Sequence, residues 1–409
     1  MTKPNKFKIL NPFRPGAGHM PPYLAGREAE QQEFRALAQQ DLVLKNLVLT
    51  GLRGVGKTVL LETFKPIAIE TGWLWAGTDL SESTSITEES MALRLLTDLS
   101  LVTGGIIIGV EELPKIGFMI ESDRVEVSLN FPALRQLYEQ TPGLVSDKLK
   151  TVLETVWPFL QGHHRKGIVF AYDEAQNLED HSGDSQYPLS LLLDVFQSIQ
   201  RKNIPYLLVL AGLPTLFPKL VKSRTFAERM FRTVFLNSLD EKETLVAIRK
   251  PLERYGNQVQ FLIDAAYEIW LTTHGYPYFI QYVCREAFDV WLQSSSREDS
   301  LPCTSIPMDD IIRKLDSDFF SGRWARATDR QRALLEVVSE LPTCESEFTV
   351  QEIVEYSHKF SSNKPFNSSN VNQMLGQLTE TGLIYKNRHG KYSFAVPLLG
   401  DFIQRQRKG

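Results

Sequence analysis

Gly51-Leu52-Arg53-Gly54-Val55-Gly56-Lys57-Thr58 follows the apolar run Asn46-Leu47-Val48-Leu49-Thr50 and precedes Val59-Leu60-Leu61-Glu62-Thr63-Phe64. The octapeptide satisfies GxxxxGK[ST] in the strand, loop, helix context that the pattern requires. Its glycines let backbone N–H groups converge on an anion, and the helix that follows adds the partial positive charge of its N-terminus. The backbone of Gly51, Arg53, Gly54, Val55, Gly56 and Val59 is therefore expected around the phosphates of ATP or ADP. Lys57 would reach the β- and γ-phosphates and Thr58 a Mg2+ ion. The plain alternative is a glycine turn that only joins a strand to a helix; against it, all four defining positions and both flanks are present.

Such a loop needs an acidic partner, and Gly167-Ile168-Val169-Phe170-Ala171-Tyr172-Asp173-Glu174 supplies one. An apolar run of this length reads as a strand buried on both faces of a parallel sheet. Acids at its carboxyl end stand where open α/β sheets bind ligands. Asp173 would hold Mg2+, usually through water, and Glu174 would polarise an attacking water. Glu179 and Asp180 follow, so a solvated acidic loop is the alternative.

With 409 residues, the chain is long enough for two or three domains. It is 43% hydrophobic and 23% charged, as soluble globular proteins are, and its net charge of −4 gives no chain-wide attraction to nucleic acid or anionic lipid. Cys284, Cys303 and Cys344 lie far apart in no metal-ligand pattern, which fits reduced thiols in a cytoplasm. No run approaches the roughly 18 to 20 apolar residues of a membrane span, so a membrane partner is not expected.

Residues 1–22, rich in Pro and Gly, read as an extended arm. Strands are expected at Gly72–Gly77, Tyr206–Pro214 and Thr233–Leu236, with helical periodicity over Ser90–Leu101, Leu134–Leu160 and Leu189–Arg201. Short β-branched runs at Gly104–Val110, Ile116–Ile120 and Val125–Leu129 suggest a β-rich insertion, about residues 104–130, that is either a partner-binding hairpin or a flap. Residues 239–300 read as wholly helical until the Ser-rich loop at Ser294–Ser300, and 301–327 as a linker. From 328, three helices (Gln331–Leu341, Thr349–Phe360, Ser368–Thr381) and two strands about a basic turn containing His389-Gly390 make a winged helix.

Gly26-Arg27-Glu28, the loop, Asp173-Glu174, the strand ending Leu210-Ala211-Gly212, the lid motif His274-Gly275-Tyr276-Pro277-Tyr278 and the winged helix together resemble the AAA+ superfamily. Within it the chain is similar to replication-initiator-like and STAND-type ATPases over roughly residues 23–400. The resemblance implies an α/β P-loop NTPase with a three-layer parallel sheet (23–238), a helical lid and a C-terminal winged helix. It also implies that Gly26, Arg27 and Pro277 lie around the nucleotide. Two positions depart from the pattern: Ala211-Gly212 replaces a water-orienting amide, and Tyr278 stands where a second arginine would meet the γ-phosphate.

Hydrolysis would then be slow unless a neighbouring subunit of a homo-oligomer contributes charge, worth about 10³ to 10⁵ in rate. Arg224, Arg229 and Arg232 are the candidates and Arg229 is favoured; a solvated helix face, with the arginine paired to Glu228 or Asp240, is the alternative. In residues 371–409, six cations (Lys386, Arg388, Lys391, Arg405, Arg407, Lys408) stand against Glu380 and Asp401, a local +4 that could bind DNA phosphates. Amides on the third helix, Asn370 to Gln377, can read adenine edges or be an ordinary polar face. Two functions remain: an ATPase whose nucleotide state controls oligomerisation and DNA binding, or a STAND-type switch that holds nucleotide, turns over slowly and engages protein partners.

Overall fold

The computed structural model describes residues 10–113, 123–295, 305–359, 365–388 and 390–408. Two compact units emerge, Glu28–Thr50 with Leu60–Phe235, and Met1–Arg27 with Gly51–Val59 and Leu236–Gly409.

In the first, the apolar runs become strands: β1 (Asn46–Thr50), β2 (Trp73–Asp79), the insertion strands β3 (Ile107–Leu113) and β4 (Asp123–Ser128), then β5 (Gly167–Asp173), β6 (Tyr206–Gly212) and β7 (Phe231–Phe235). Five of them form a parallel sheet in the order β2-β5-β6-β1-β7. Every residue of β1, β5 and β6 is buried, so both faces are covered and the layers run helix, sheet, helix. The helices are α1 (Glu28–Gln39), α2 (Lys57–Glu70), α3 (Glu88–Thr103), α4 (Phe131–Gln140), α5 (Val145–Gly162), α6 (Pro188–Gln200), α7 (Leu216–Ser223) and α8 (Ala227–Met230).

One face of the sheet presents Ile168, Phe170, Leu208 and Leu210 to a core shared with α3, α5 and α6. Phe170 meets Phe196 and Tyr206 edge-on at 5.2 and 5.9 Å. Asp79 pairs in register with Asp173, Tyr172 with Leu210, and Thr50 with Gly212, which brings these strands out at one edge. That edge is where open α/β sheets bind ligands.

Two differences from the sequence expectations have physical causes. The expected helix over Leu134–Leu160 breaks into α4 and α5 at Pro142-Gly143, because Gly143 takes φ +114°, outside the helical region. β3 and β4 pair antiparallel as the expected hairpin, while the run Ile116–Ile120 lies outside the described residues.

The second unit begins with an arm, residues 10–22, that has neither helix nor strand, as expected. It contains the lid, α9 (Glu241–Leu252), α10 (Gln260–Asp264), α11 (Ala266–Thr273) and α12 (Pro277–Ser295). Of the expected Ser-rich loop, Ser294 and Ser295 end α12 and the rest lies outside the described residues. The stretch read as a linker is largely helical: α13 (Met308–Leu315), a π-helical turn at Asp316–Phe320, and α14 (Ser321–Trp324).

The winged helix then follows. Its helices are α15 (Asp329–Ser339), α16 (Val350–Ser357) and α17 (Ser368–Glu380), beside a small sheet in the order β8 (Phe348–Thr349), β10 (Lys391–Phe394), β9 (Ile384–Arg388). Capping boxes start α15 (Thr328 with Gln331) and α16 (Thr349 with Glu352). His389 of the wing turn lies outside the described residues. An unexpected helix, α18 (Leu399–Lys408), closes the chain with Leu399, Phe402 and Ile403 buried.

Asn46 locks the middle of the sheet. It is fully buried, its Oδ1 accepts from the Leu208 N–H (2.8 Å) and Gln200 Nε2 (2.8 Å), and its Nδ2 donates to Gln200 Oε1 (3.1 Å). Asn46→Ala would leave a buried N–H without its acceptor, a loss of about 1–3 kcal/mol. Urea unfolding of the variant should show a lower midpoint with an unchanged slope.

Candidate functional site

The loop Gly51–Thr58 owes its shape to three glycines. Gly54 and Gly56 take φ of +79° and +95°, and a Cβ on Gly56 would meet nothing within 4 Å, which leaves open space for an anion to approach the backbone. Gly51 is required for a different reason: a Cβ there would sit 2.7 Å from the Leu236 carbonyl oxygen. Lys57 is nearly buried, and its Nζ donates to the carbonyls of Gly51 (2.8 Å) and Leu52 (3.0 Å), so the ammonium is held on its own loop. A glycine cradle, a lysine and the first turn of α2 are a donor set that fits a polyphosphate.

The lid meets this loop directly. The Tyr278 N–H, in the first turn of α12, donates to the Gly54 carbonyl (3.2 Å), and a Cβ on Gly54 would lie 3.1 Å from the Tyr278 Cβ. Pro277 opens that helix. Gly275 takes φ +70° with its Cβ position 1.9 Å from the Leu239 carbonyl oxygen, so no other residue fits the turn.

Arg27 is bonded to the loop itself. Only 4% exposed, its guanidinium donates to the carbonyls of Val55 (3.1 Å), Asn237 (2.6 Å) and Gly26 (3.1 Å). It buttresses the loop from behind. Gly26, at φ +64°, backs onto the Glu243 carboxylate, 2.6 Å from its Cβ position. The N-terminal arm is strapped to α12: Asn11 Nδ2 donates to Asp289 Oδ1 and the Arg285 carbonyl (both 2.8 Å), Phe13 is fully buried, and Gly18 comes close to the Thr58 methyl.

In the sheet unit, Asp173 ends β5 with 4% exposure, and its Oδ1 accepts from the Glu174 N–H (2.8 Å). Glu174 is exposed and holds the left-handed conformation at φ +51°, an uncommon one for a non-glycine residue. The sequence reading missed its neighbour, Gln176. The Gln176 Nε2 donates to Glu174 Oε2, while its Oε1 accepts from the Leu213 N–H (3.1 Å). An amide from the loop after β5 therefore stands at the end of β6. The signal in the sequence was a lone Gln among acids, which carries no spacing rule.

Of the three arginines, Arg224 is bound bidentately to Asp194 (2.8 and 2.6 Å) and to Ser190 Oγ (2.8 Å), and Arg232 pairs with Glu33. The exposed Arg229 has no ion pair among the described residues, with Glu228 and Asp240 included. In the winged helix, carboxylates outside the counted window take up much of the expected basic excess. Arg388 pairs with Glu347 (2.8 Å), Arg405 with Asp316 (2.6 Å) and Arg407 with Glu340 (3.1 Å). Of the expected +4 patch, Lys386 and Lys391 on the wing stand without a carboxylate partner among the described residues. Asn370, Asn372, Gln373 and Gln377 do lie on the exposed face of α17.

Comparison with solved structures places this geometry. The Walker-type ATPase paby2304 of Pyrococcus abyssi is similar, with a TM-score of 0.56 and 15% identity over 93% of this chain and 96% of that one. The ORC2 protein of Aeropyrum pernix, in its ADP form, gives 0.56 at 13% identity over 97% and 98% of the two chains. The chain shares the fold of these two structures, the P-loop α/β sheet with its helical layers followed by a winged helix. Residues 317–403 match a family model described as a domain of unknown function, DUF8462. That match begins inside the π-helical turn and spans the winged helix. No curated protein matches the chain by sequence. Among the described residues, no helix is long and apolar enough to cross a membrane.

His274, the residue before the lid glycine, is the electrostatic link to the winged helix. Its Nδ1 and Nε2 each lie 3.3 Å from a carboxylate, Glu345 and Asp401. The Glu345 hydrogen bond, with Asp401 beyond it, raises the imidazole pKa above 6.5 in spite of burial. Asp401 is itself raised by burial, an effect that His274 and Arg405 oppose. A base whose pKa is raised on folding contributes stability fully below its unfolded pKa and loses it as pH climbs through the folded value. Wild type should therefore exceed His274→Gln in stability by its widest margin below about pH 6.5. Denaturant unfolding across pH checks this, and a margin that widens toward high pH would contradict it.

Proposed function

We propose that the chain is a Mg2+-dependent ATPase whose nucleotide state is read by its lid and passed to its winged helix, which binds DNA. The observation that carries this reading is the hydrogen bond from the lid's Tyr278 N–H to the carbonyl of loop residue Gly54. A loop shaped for phosphates is thereby joined to α12, whose Phe279 packs on the π-helical turn that leads into the winged helix. Bound ATP and Mg2+ would supply the electrophilic phosphorus and neutralise its charge. Lys57 would leave the Gly51 and Leu52 carbonyls for the β- and γ-phosphates, while the backbone of Gly51, Arg53, Gly54, Val55, Gly56 and Val59 cradles the remainder.

Thr58 and Asp173 would hold the metal, and Glu174, steadied by Gln176, would take the proton of the attacking water. Gly26 and Pro277 are assigned near the base; Arg27 serves as the loop's buttress. Arg229 of a second copy would complete the site, which makes the monomer slow and the active form a homo-oligomer. Its exposure and its lack of an ion partner support that assignment. A cytoplasmic location belongs to the same proposal, supported by the unbridged thiols of Cys284 and Cys344.

A second reading is favoured by the pairing of Arg388, Arg405 and Arg407 with carboxylates. Much of the cationic character is spent within the molecule, as a STAND-type switch acting on a protein partner would allow. The two readings separate on salt-dependent DNA affinity. For DNA, Lys386→Ala with Lys391→Ala should weaken binding to all sequences alike and lower the salt slope by about 1 per lysine. Absence of any duplex or single-strand binding would sustain the switch.

The ATPase reading itself is tested by two substitutions. Lys57→Ala should abolish the binding of a fluorescent ATP analogue. Glu174→Gln should bind it as wild type does and lose turnover by about 10² to 10⁴. Wild-type binding by Lys57→Ala, or wild-type turnover by Glu174→Gln, would defeat it.

A further inference from the structure

The helical segment between lid and winged helix holds a guanidinium on the Phe319 ring, and Phe319 in turn packs on Tyr278, the lid residue bonded to the phosphate-binding loop. It contains the π-helical turn Asp316–Phe320, a geometry frequent at functional sites. The turn is fixed from several sides. The Asp316 carboxylate accepts two bonds from Arg405 of α18 (2.8 and 2.6 Å), and Asp318 Oδ2 accepts from the Tyr282 hydroxyl (3.0 Å). Phe320 stacks between Phe279 of α12 and Phe402 of α18, at 6.0 and 5.1 Å. Phe319 packs on Tyr278 at 5.3 Å, and Tyr278 is the residue bonded to Gly54 of the loop.

Arg323 follows one turn later. Its guanidinium lies over the Phe319 ring, 4.1 Å from the centroid, and its Nη1 donates to the Phe319 carbonyl (2.5 Å). A line of contacts thus runs from Gly54 through Tyr278 and Phe319 to Arg323. Burial, then the like charge of Arg53 in the loop, push the Arg323 pKa down; the Tyr278 hydroxyl pulls it up, and Arg326 adds repulsion. Neither Arg53 nor Arg323 has a carboxylate partner among the described residues, although this chain pairs Arg94, Arg224, Arg388 and Arg405 with acids. An exposed cation and a half-buried one that repel each other, with no carboxylate partner among the described residues, make a site for an anion.

Resting on the ATPase reading above, we infer that Arg323 and Arg53 together bind the terminal phosphate of ATP. Lys57 brings one ammonium to the β- and γ-phosphates together, and the charge left to be neutralised is that of the terminal phosphate, which ADP lacks. Planar guanidiniums suit its oxygens. The residue that distinguishes ATP from ADP therefore belongs to the segment that Asp316 ties to α18. Occupancy of the terminal phosphate is registered at the root of the winged helix.

The test is titration of the full chain, with Mg2+, by fluorescent ATP and ADP analogues. Arg323→Ala should weaken ATP by about 10- to 100-fold, the worth of a charged hydrogen bond, and ADP by about threefold or less. Arg323→Lys should recover part of the ATP affinity, because it restores charge without the planar fork. Arg53→Ala, on the exposed loop, should repeat the ATP-selective loss and serves as the independent variant if Arg323→Ala unfolds. Equal weakening of ATP and ADP in both alanine variants, or no weakening, would overturn the assignment. Lys57→Ala separates the two claims: if it too binds both nucleotides as wild type does, the ATPase reading falls first, and this inference with it.

Discussion

The hydrogen bond between the Tyr278 N–H and the Gly54 carbonyl is the constraint on which the second unit depends. A helix leaves its first N–H groups without intrahelical partners. At the start of α12, one of these is satisfied by the loop that would hold phosphates. Gly54 can accept that bond only because φ +79° is open to glycine, and because a side chain there would press on Tyr278. Loop conformation and lid position are thereby two descriptions of one geometry. Arg27, bonded to the Val55 and Asn237 carbonyls, holds the same loop from its other side.

α12 is the element that spreads this constraint. Its residues Gln281, Arg285 and Asp289 fasten the N-terminal arm, its Phe279 and Tyr282 fasten the π-helical turn, and its preceding residue His274 reaches Glu345 and Asp401 in the winged helix. A packed aromatic set, Tyr278, Phe279, Phe319, Phe320 and Phe402, runs along the same path. Such packing moves between discrete arrangements and does not deform smoothly. In the proposed ATPase, a change at the loop would therefore reach α18 as a change of state.

Most of the architecture was legible in the sequence where local pattern and burial agree. The loop motif, the two-sided burial of Gly167–Asp173 and the three helices with a wing each follow from period, spacing and turn chemistry. Where tertiary pairing decides, the sequence was mute. Arg405 and Arg407 counted as a basic tail, yet their acids, Asp316 and Glu340, lie far back in the chain. The amphipathic spacing of Leu399, Phe402 and Ile403 was obscured by those same charges, and α18 went unread. The π-helical turn has no periodic signature of its own, so a helical junction read as a linker.

The central claim is that the state of the loop is carried through α12 to the junction of lid and winged helix. Hydrogen exchange followed by mass spectrometry, with and without Mg2+ and ATP and with Lys57→Ala as the control, tests this most directly. The account predicts altered protection in three segments of wild type at once, residues 51–58, 274–282 and 316–324, and none in the Lys57→Ala protein. Protection confined to 51–58, with 274–282 and 316–324 unchanged, would contradict it.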